Sequence, residues 1–273
     1  MDKATWGGVV LGVGGIVGGL LLEGGRLSQV LQPTAAMIVF GGTAGAVLIQ
    51  FPLPVVGKAV RYLGKVFFQP ERNPSAMVQE LVRFAKRARR EGIVSLDAET
   101  DHIQEPFLKK SLMLAVDGTE PQELRSMMEL EMDNQAEHED RIPQVFESAG
   151  GFSPTIGIIG AVMGLIQVMQ HLDKIDEVGR GIAVAFVATI YGVGSANLFF
   201  LPSAGKLRTR IREEQILREM TLEGVVSILE GMNPRMLETK LIGFLTDEFS
   251  KKSGSDAGEL SEKSEKAKAA PQS

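Results

Sequence analysis

Charged residues are distributed unevenly along this chain, and four long stretches contain no Asp, Glu, Lys or Arg. These stretches are residues 4–22, 27–57, 148–172 and 181–205. A helix needs about 20 mostly apolar residues to cross the hydrocarbon core of a bilayer, so each stretch is long enough to span once. The first is too long and too rich in glycine for a cleavable signal sequence, and a second stretch follows it closely. The pattern predicts an all-α integral membrane protein with four transmembrane helices and a helical cytoplasmic domain.

The Lys and Arg residues beside these stretches predict the orientation of the protein in the membrane. The loop after the first stretch begins with a single basic residue, Arg26, whereas clusters of basic residues follow the second and the fourth stretches. Lys174 and Arg180 lie in the very short loop between the third and the fourth. Because cytoplasmic loops carry the excess of basic residues, both termini and the large loop after the second stretch are predicted to be cytoplasmic.

The charged segments carry the signals of helices. Asn73-Pro74 is typical of a helix start, apolar residues recur at helical spacing from Val78 to Ala88, and Gly92 is typical of a helix end. Further helices are predicted from about Thr119 to the third span, from the fourth span to Gly231, and from Asn233 to about Phe249.

The chain is therefore predicted to contain seven segments. The transmembrane helices are placed at residues 4–22, 34–54, 152–172 and 181–202. The cytoplasmic helical loop covers residues 58–147, and the C-terminal cytoplasmic helices cover residues 203–249. Residues 250–273 are small, polar and charged, so this tail is predicted to be disordered.

Composition argues against several classes of function. The chain has no cysteine, which excludes disulfides and thiolate metal sites, and its three histidines are scattered. The charged segments carry both signs, which argues against a nucleic-acid-binding surface. The sequence contains no recognisable nucleophile–base pair, metal cluster or phosphate-binding loop. It predicts neither an enzyme nor a cofactor.

The glycine-rich segment "GVVLGVGGIVGG" at residues 8–19 has two interpretations. A dinucleotide-binding loop needs a third glycine five residues after the first, but from Gly12 this position falls on Val17, inside a predicted span. The alternative is close packing between helices, because pairs such as Gly8 and Gly12 follow the small-xxx-small spacing. The sequence favours packing.

Polar residues occur inside the third and fourth spans. Thr155 lies near the start of the third, and the fourth holds Thr189, Tyr191, Ser195 and Asn197. Such hydroxyls often bond to the backbone of their own helix, but four polar residues so close together favour a face turned to other helices or water. The four spans contain no Asp, Glu, Lys or Arg, although such residues usually mark ion paths. If the protein conducts protons, a partner helix must supply the carboxylate.

Several longer motifs together carry a family resemblance. They are "ARREGIVSLDAE", "PFLKKSLMLAVDG", "FSPTIGIIGAVMGLIQVMQHLD", "GRGIAVAFVATIYGVGSANLFFLPSAGKLRTR" and "ILEGMNPRMLETKL". Over nearly all of residues 4–249 the chain resembles the MotA/TolQ/ExbB family of proton-channel proteins. The hairpin of two spans before the large loop is similar to the MotA flagellar stator branch.

The resemblance implies an assembly and a mechanism. Several copies, five in the family, surround a dimer of a single-span MotB-like partner in the bacterial inner membrane, and the protein contacts lipid. An Asp on the partner's helix carries the ion, and its protonation steps the surrounding homo-oligomeric ring. This chain is then the wall of a proton channel whose ion flow turns a flagellar rotor.

The resemblance also assigns roles to individual residues in the spans. Pro154 and Pro202 match the family's paired prolines, which couple ion flow to conformation. Thr189 matches the family's channel-facing threonine, with Thr155 and Tyr191 as further polar residues of the ion pathway. Sodium-driven relatives carry a threonine where this chain has Ala161, which favours protons as the ion.

In the loop, a basic and an acidic residue around a glycine match the residues that meet the rotor's switch ring. Arg89 or Arg90 is the basic candidate, and Asp97 is the acidic one. The pattern departs from the family because Asp replaces the usual Glu and Arg90-Glu91 adds another charged pair. Proline near a helix start and charges at a solvated helix end are also ordinary features without such roles.

Three rival functions stay open at this point. A TolQ- or ExbB-like energiser of an envelope partner would share the channel but has a single span before the large loop. A non-conducting membrane scaffold would not need the polar residues of the fourth span. A transporter with its own substrate site is disfavoured by the uncharged spans and the absence of an internal repeat.

Overall fold

The computed structural model describes residues 3–68 and 73–248, and every regular element in these two ranges is helical. The α-helices are α1 (Lys3–Leu22), α2 (Leu27–Val30), α3 (Pro33–Ala36), α4 (Gly42–Gln50), α5 (Leu53–Phe68), α6 (Pro74–Glu91), α7 (Asp97–Thr100), α8 (Pro106–Val116), α9 (Pro121–Gln170), α10 (Ile175–Ser195), α11 (Leu201–Leu229) and α12 (Pro234–Glu248). The all-α prediction is confirmed over this part of the chain. The tail predicted to be disordered, residues 250–273, lies outside the described residues.

The chain divides into two compact units. The first unit comprises residues 1–71 and 136–212, and the second comprises residues 72–135 and 213–273. The uncharged stretches of the sequence lie in the first unit. The second unit holds α6, α7, α8 and α12, which come from the charged segments.

Length identifies three candidate membrane spans in the first unit. Pro33–Gln50 is long and apolar enough to cross a bilayer, and so are stretches within Pro121–Gln170 and Val178–Leu229. The apolar part of α1, Trp6–Leu22, is shorter. At 1.5 Å per residue it extends about 26 Å, slightly less than the hydrocarbon core of about 30 Å. Among the described helices, three therefore meet the length of a span and α1 falls just below it.

The second predicted span, residues 34–54, does not form a single helix. α4 ends at Gln50, Phe51 is extended with φ −120° and ψ 139°, and α5 begins at Leu53. A residue that precedes proline is disfavoured in the helical region, so Pro52 causes the break at Phe51. Residues 53 and 54 consequently belong to the next helix.

Two apolar helical runs contain a π-helical segment. Met37–Gly41 lies between α3 and α4, and Ala196–Phe200 lies between α10 and α11. Pro202 follows the second segment by two residues. Proline has no N–H to donate to the carbonyl four residues earlier, and a wider turn lets the chain continue as a helix around this missing bond.

The second unit confirms the predicted helix of the large loop. α6 runs from Pro74 to Glu91, and the Asn73 side chain accepts hydrogen bonds from the N–H groups of Ser75 and Ala76. Gly92 has φ +82°, the left-handed conformation that glycine adopts without strain. The apolar residues at helical spacing are buried in the core of this unit.

Three further elements lie between Gly92 and Val116, where no helix was predicted. A 3₁₀ turn (Ile93–Leu96) leads into α7, and α8 follows. Leu96, Leu108 and Leu112 are fully buried in the same core as α6. The 3₁₀ turn and α7 have four residues each and are too short to show a helical period in the sequence. α8 does show one, because its buried residues Leu108, Leu112 and Ala115 recur at helical spacing.

Candidate functional site

α9 and α10 approach each other so closely that only glycine fits at the contact. A Cβ atom added to Gly157 would lie 2.9 Å from the carbonyl oxygen of Ala188. One added to Gly164 would lie 2.8 Å from the carbonyl oxygen of Gly181, and one added to Gly192 would lie 2.7 Å from that of Ser153. These distances are shorter than any ordinary contact of a methyl group. The two backbones therefore touch directly along most of this pair.

Two serines fix the register of the same pair. The hydroxyl oxygens of Ser153 and Ser195 lie 2.7 Å apart, and the Ser153 hydroxyl donates to the carbonyl oxygen of Gly192 over 3.1 Å. Ser153 is fully buried. The glycine spacing in α1 predicts close packing there, but among the α1 glycines only Gly12 has a neighbour within 4 Å, Leu198. The same small-xxx-small rule, applied to Gly160 and Gly164, would have found the α9–α10 contact.

Tyr191 connects α10 to the segment before α3. Its hydroxyl donates to the carbonyl oxygen of Val30 over 2.6 Å and accepts from the N–H of Gln32 over 3.3 Å. Its ring stacks on Phe40 with the ring centroids 5.9 Å apart. Tyr191 thus holds the start of the Pro33–Gln50 run against α10.

The opposite sides of α9 and α10 carry exposed side chains at helical spacing. The stripe on α9 consists of Thr155, Ile159, Val162, Ile166 and Met169. The α10 stripe consists of Phe186, Ile190 and Val193 and continues to Asn197 in the π-helical segment that follows α10. Each stripe is apolar except for one polar residue near its end. An exposed apolar face of this extent is a contact surface for lipid or protein.

The four predicted pathway residues lie in this pair of helices but do not form one cluster. Thr155 is exposed and donates to the carbonyl oxygen of Phe152 over 2.8 Å. Thr189 is half-buried beside the α10 stripe, and its hydroxyl donates to the carbonyl oxygen of Ala185 over 3.2 Å. Ala161 is also half-buried. Both threonine oxygens keep lone pairs that can accept a further hydrogen bond.

Thr189 and Tyr191 do not share a face of α10. Two positions apart on a helix correspond to about 200° of rotation, and Tyr191 is engaged with Val30 and Gln32 on the far side from the exposed stripe. The polar residues of "ATIYGVGSAN" are therefore spread around the helix. The expectation that they line a single face follows from their closeness in sequence, which a helix does not preserve.

Pro154 lies in the interior of α9, not in the first turn of a helix, because α9 begins at Pro121. Its nitrogen cannot donate to the carbonyl of Gly150. The residue is half-buried, and its Cα would lie 3.3 Å from a Cβ added to Gly192. Pro202 is exposed near the start of α11. The two prolines are associated respectively with the close helix contact and with the π-helical segment.

The predicted rotor-binding residues lie at the end of α6 and the start of α7. Arg89, Arg90 and Asp97 are all exposed. Arg89 and Arg90 line a shallow cleft of about 380 Å³ together with Lys86 and Pro234. The end of α6 is accordingly a basic surface with an exposed carboxylate close behind it in the sequence.

No group of three or more metal-ligating residues occurs in the described ranges. The buried side-chain polar atoms found there have hydrogen-bond partners, with the exception of the Thr43 hydroxyl.

Two family models match the sequence. The model described as the MotA/TolQ/ExbB proton channel family matches residues 99–220, and the one described as Motility protein A N-terminal matches residues 6–92.

Curated proteins and solved structures resemble the chain over most of its length. Motility protein A of Bacillus subtilis (strain 168) is 36% identical over 249 residues, which cover 90% of this chain and 91% of the relative. Chemotaxis protein PomA of Vibrio alginolyticus is 30% identical over 247 residues, which cover 90% and 96%. The structure of C. jejuni MotAB superposes with a TM-score of 0.86 at 33% identity and covers 91% of this chain and 97% of the matched chain. The flagellar MotAB stator complex from Bacillus subtilis gives a TM-score of 0.82 at 35% identity, with coverages of 89% and 96%.

Proposed function

The chain belongs to the MotA/TolQ/ExbB proton channel family, and from this membership we propose that it is the MotA-type subunit of a flagellar stator. With a MotB-type partner it forms a proton channel in the bacterial inner membrane and converts ion flow into torque on the rotor. The likeness to two MotAB complexes supports this function. The Motility protein A model that matches residues 6–92 favours it over a TolQ- or ExbB-like energiser.

The observation that carries the proposal is the uncharged α9–α10 pair. Residues 148–170 and 181–205 contain no Asp, Glu, Lys or Arg, yet their outward stripes present Thr155 and Asn197 among apolar side chains. A threonine hydroxyl does not gain or lose a proton near neutral pH. The titrating carboxylate is therefore an Asp on the single transmembrane helix of the partner, and the outward stripes face that helix.

The assembly has four spans per subunit, and five subunits form a ring around the partner dimer. The fourth span is α1, since its 17 apolar residues lie at the lower end of what a bilayer requires. The basic residues after the second and fourth spans favour cytoplasmic termini. Exposed apolar side chains on α9 and α10 support the ring, because neighbouring subunits and the partner would cover them.

Thr189 is the central residue of the ion pathway, with Thr155 and Ala161 along α9. Tyr191 serves the pathway indirectly, by fixing α10 against α3. The conducted ion is the proton, since Ala161 supplies no oxygen and a hard cation such as Na⁺ needs several oxygen ligands. One charge that crosses 100 mV releases about 2.3 kcal/mol, and this is the energy available to move the ring.

The protonation state of the partner's Asp is coupled to movement through Pro154 and Pro202. Pro154 weakens α9 beside its contact with Gly192, and Pro202 follows the π-helical segment between α10 and α11. Arg89 or Arg90, together with Asp97, meets complementary charges on the rotor. Charge complementarity of this kind speeds association more than it tightens binding.

The test is cytoplasmic acidification in cells that express this chain with a MotB-type partner from which the plug segment has been deleted. The proposal expects acidification that requires both chains and is independent of Na⁺. Thr189→Ala should slow acidification severalfold. Thr209→Ala should not, although Thr209 makes the same kind of hydrogen bond to its own helix.

Each contrary result has its own meaning. A current that follows Na⁺ would contradict the role given to Ala161. An equal loss in the two threonine variants would contradict the pathway through Thr189. No current with any partner would leave the chain as a membrane scaffold.

A further inference from the structure

The turn after α6 brings an acidic segment back beside that helix. Gly92 reverses the chain with φ +82°, and the 3₁₀ turn and α7 follow. Leu96 is fully buried and Thr100 is 5% exposed, whereas Asp97 between them is exposed. The buried residues hold the segment against the core on both sides of Asp97. A helix of four residues has no stability of its own, so α7 depends on such contacts.

Glu99 supplies a further contact between α7 and α6. Its carboxylate binds Arg83, with Nη2 of Arg83 2.8 Å from Oε2, and it also binds Nη1 of Arg87. Arg83 and Arg87 are one helical turn apart, so both reach the same carboxylate from one face of α6. Arg87 in addition pairs with Glu91 on its own helix over 3.1 Å. Only 20% of the Glu99 side chain is exposed.

This network separates the charges of the region into two sets. Arg83, Arg87, Glu91 and Glu99 neutralise one another. Within residues 73–248, neither the Arg89 guanidinium nor the Asp97 carboxylate has an ion-pair partner. The Arg89 and Asp97 side chains, just before and just after the turn, therefore remain available to another molecule.

We propose that Glu99 is a positioning residue that holds Asp97 at a fixed distance from Arg89 and Arg90 through its ion pairs with Arg83 and Arg87. The inference rests on the proposed function, in which these exposed residues meet the rotor. A rigid arrangement of opposite charges matches a partner without the loss of freedom that ordering a mobile segment on binding would require. Glu99 does not itself touch the rotor.

The experiment uses full-length chains with their partner in flagellated cells that lack their own copy of this subunit. Glu99→Gln removes the bridge, and the matched control Glu91→Gln makes the same change in charge beside the same arginine but leaves the bridge from α6 to α7 intact. A third variant exchanges the charges, with Arg87→Glu and Glu99→Arg in an Arg83→Gln background. The readouts are the number of stator units engaged per motor, torque, and acidification with the plug-deleted partner.

We expect Glu99→Gln to reduce the number of engaged units roughly fivefold, the scale of one partly exposed ion-pair network. Acidification should stay at the wild-type level. Glu91→Gln should change engagement less than twofold, and the exchanged variant should recover at least half of the loss. Normal engagement of Glu99→Gln, equal losses in the two Gln variants, or a parallel loss of acidification would overturn the inference. Failure of the wild-type chain to engage at all would instead contradict the proposed function.

Discussion

Arg125 of α9 donates a hydrogen bond of 2.7 Å to the carboxylate of Glu223 in α11. Lys240 of α12 binds the other carboxylate oxygen. Burial raises the pKa of Glu223, but the hydrogen bonds from Lys240 and Arg125 outweigh burial and hold the pKa below its ordinary value of 4.5. The folded second unit therefore favours the ionised carboxylate, which joins three helices.

Glu223→Gln should lower the free energy of unfolding by about 1–2 kcal/mol at pH 7, because two charge-assisted hydrogen bonds are lost at a site with partly exposed partners. A carboxylate whose pKa is depressed by folding contributes stability above its unfolded pKa, and this stability is lost as the pH falls through the folded pKa. The difference in the free energy of unfolding between wild type and variant should therefore shrink below about pH 4.5. Denaturant unfolding of the full chain in detergent, followed by circular dichroism, measures it.

Glu129→Gln is the control for this prediction. Glu129 also pairs with Arg125, but over 3.7 Å and with 53% of its side chain exposed. Its loss should change stability by less than about 0.5 kcal/mol. Equal effects of the two substitutions, or a difference that grows as the pH falls, would contradict the role of Glu223.

Gly192→Ala and Gly194→Ala should have opposite effects on stability, although the two glycines lie only two residues apart on α10. A Cβ at Gly192 would meet the carbonyl oxygen of Ser153 at 2.7 Å and Cα of Gly157 at 3.1 Å, so α9 and α10 must separate. We expect Gly192→Ala to lower the free energy of unfolding by about 1–3 kcal/mol. A Cβ at Gly194 meets nothing within 4 Å, and alanine favours the helix by up to about 1 kcal/mol. Thermal unfolding in detergent checks both, and destabilisation by Gly194→Ala would refute the contrast.

Tyr191→Phe should loosen the segment before α3. The substitution keeps the ring beside Phe40 but leaves the carbonyl of Val30 and the N–H of Gln32 without the hydroxyl. If the free energy of local opening falls by about 1 kcal/mol, the amide of Gln32 should exchange roughly fivefold faster. Hydrogen–deuterium exchange over residues 27–36 measures the rate. Phe40→Leu removes the stacked ring but keeps the hydrogen bonds, so exchange at Gln32 should stay within about twofold of wild type.

Asn73→Ala should destabilise α6 by about 1 kcal/mol, since the side chain accepts from the N–H groups of Ser75 and Ala76 at the helix start. Asn73→Asp keeps an acceptor and adds a negative charge that the helix N-terminus favours, so it should be neutral or stabilising. Denaturant unfolding of the full chain in detergent, followed by circular dichroism, tests both variants. A loss with Asp as large as with Ala would show that the cap does not act through these hydrogen bonds.

Local signals in the sequence were sufficient for the ends of α6. Asn73, Pro74 and Gly92 act on their immediate neighbours, and the structure shows the predicted cap and turn there. The break at Pro52 follows from an equally local rule, but the uncharged stretch continues across it and hides it. Apolar length predicts where membrane helices can lie more reliably than where each one ends.

Contacts between distant residues determine most of the candidate site, and for that reason the sequence did not reveal them. Tyr191 and Val30 are 161 positions apart, and the serine pair that fixes α9 against α10 is separated by 42. Glu99 is only 12 positions from Arg87, but the turn that brings them together consists of elements too short to predict from periodicity.

The direct backbone contact between α9 and α10 restricts how the length of this chain can change. One residue inserted between Ser153 and Gly164 would rotate the rest of α9 by about 100° and turn its glycines away from α10. After an insertion before Ile159, for example, Ile159 would take the place of Gly160 against Ala188, where there is no room for its side chain. Residues 171–174 connect the two helices and lie outside the run of glycines from Gly157 to Gly164. Related chains should therefore vary in the length of that connection and keep the spacing of the glycines free of insertions and deletions.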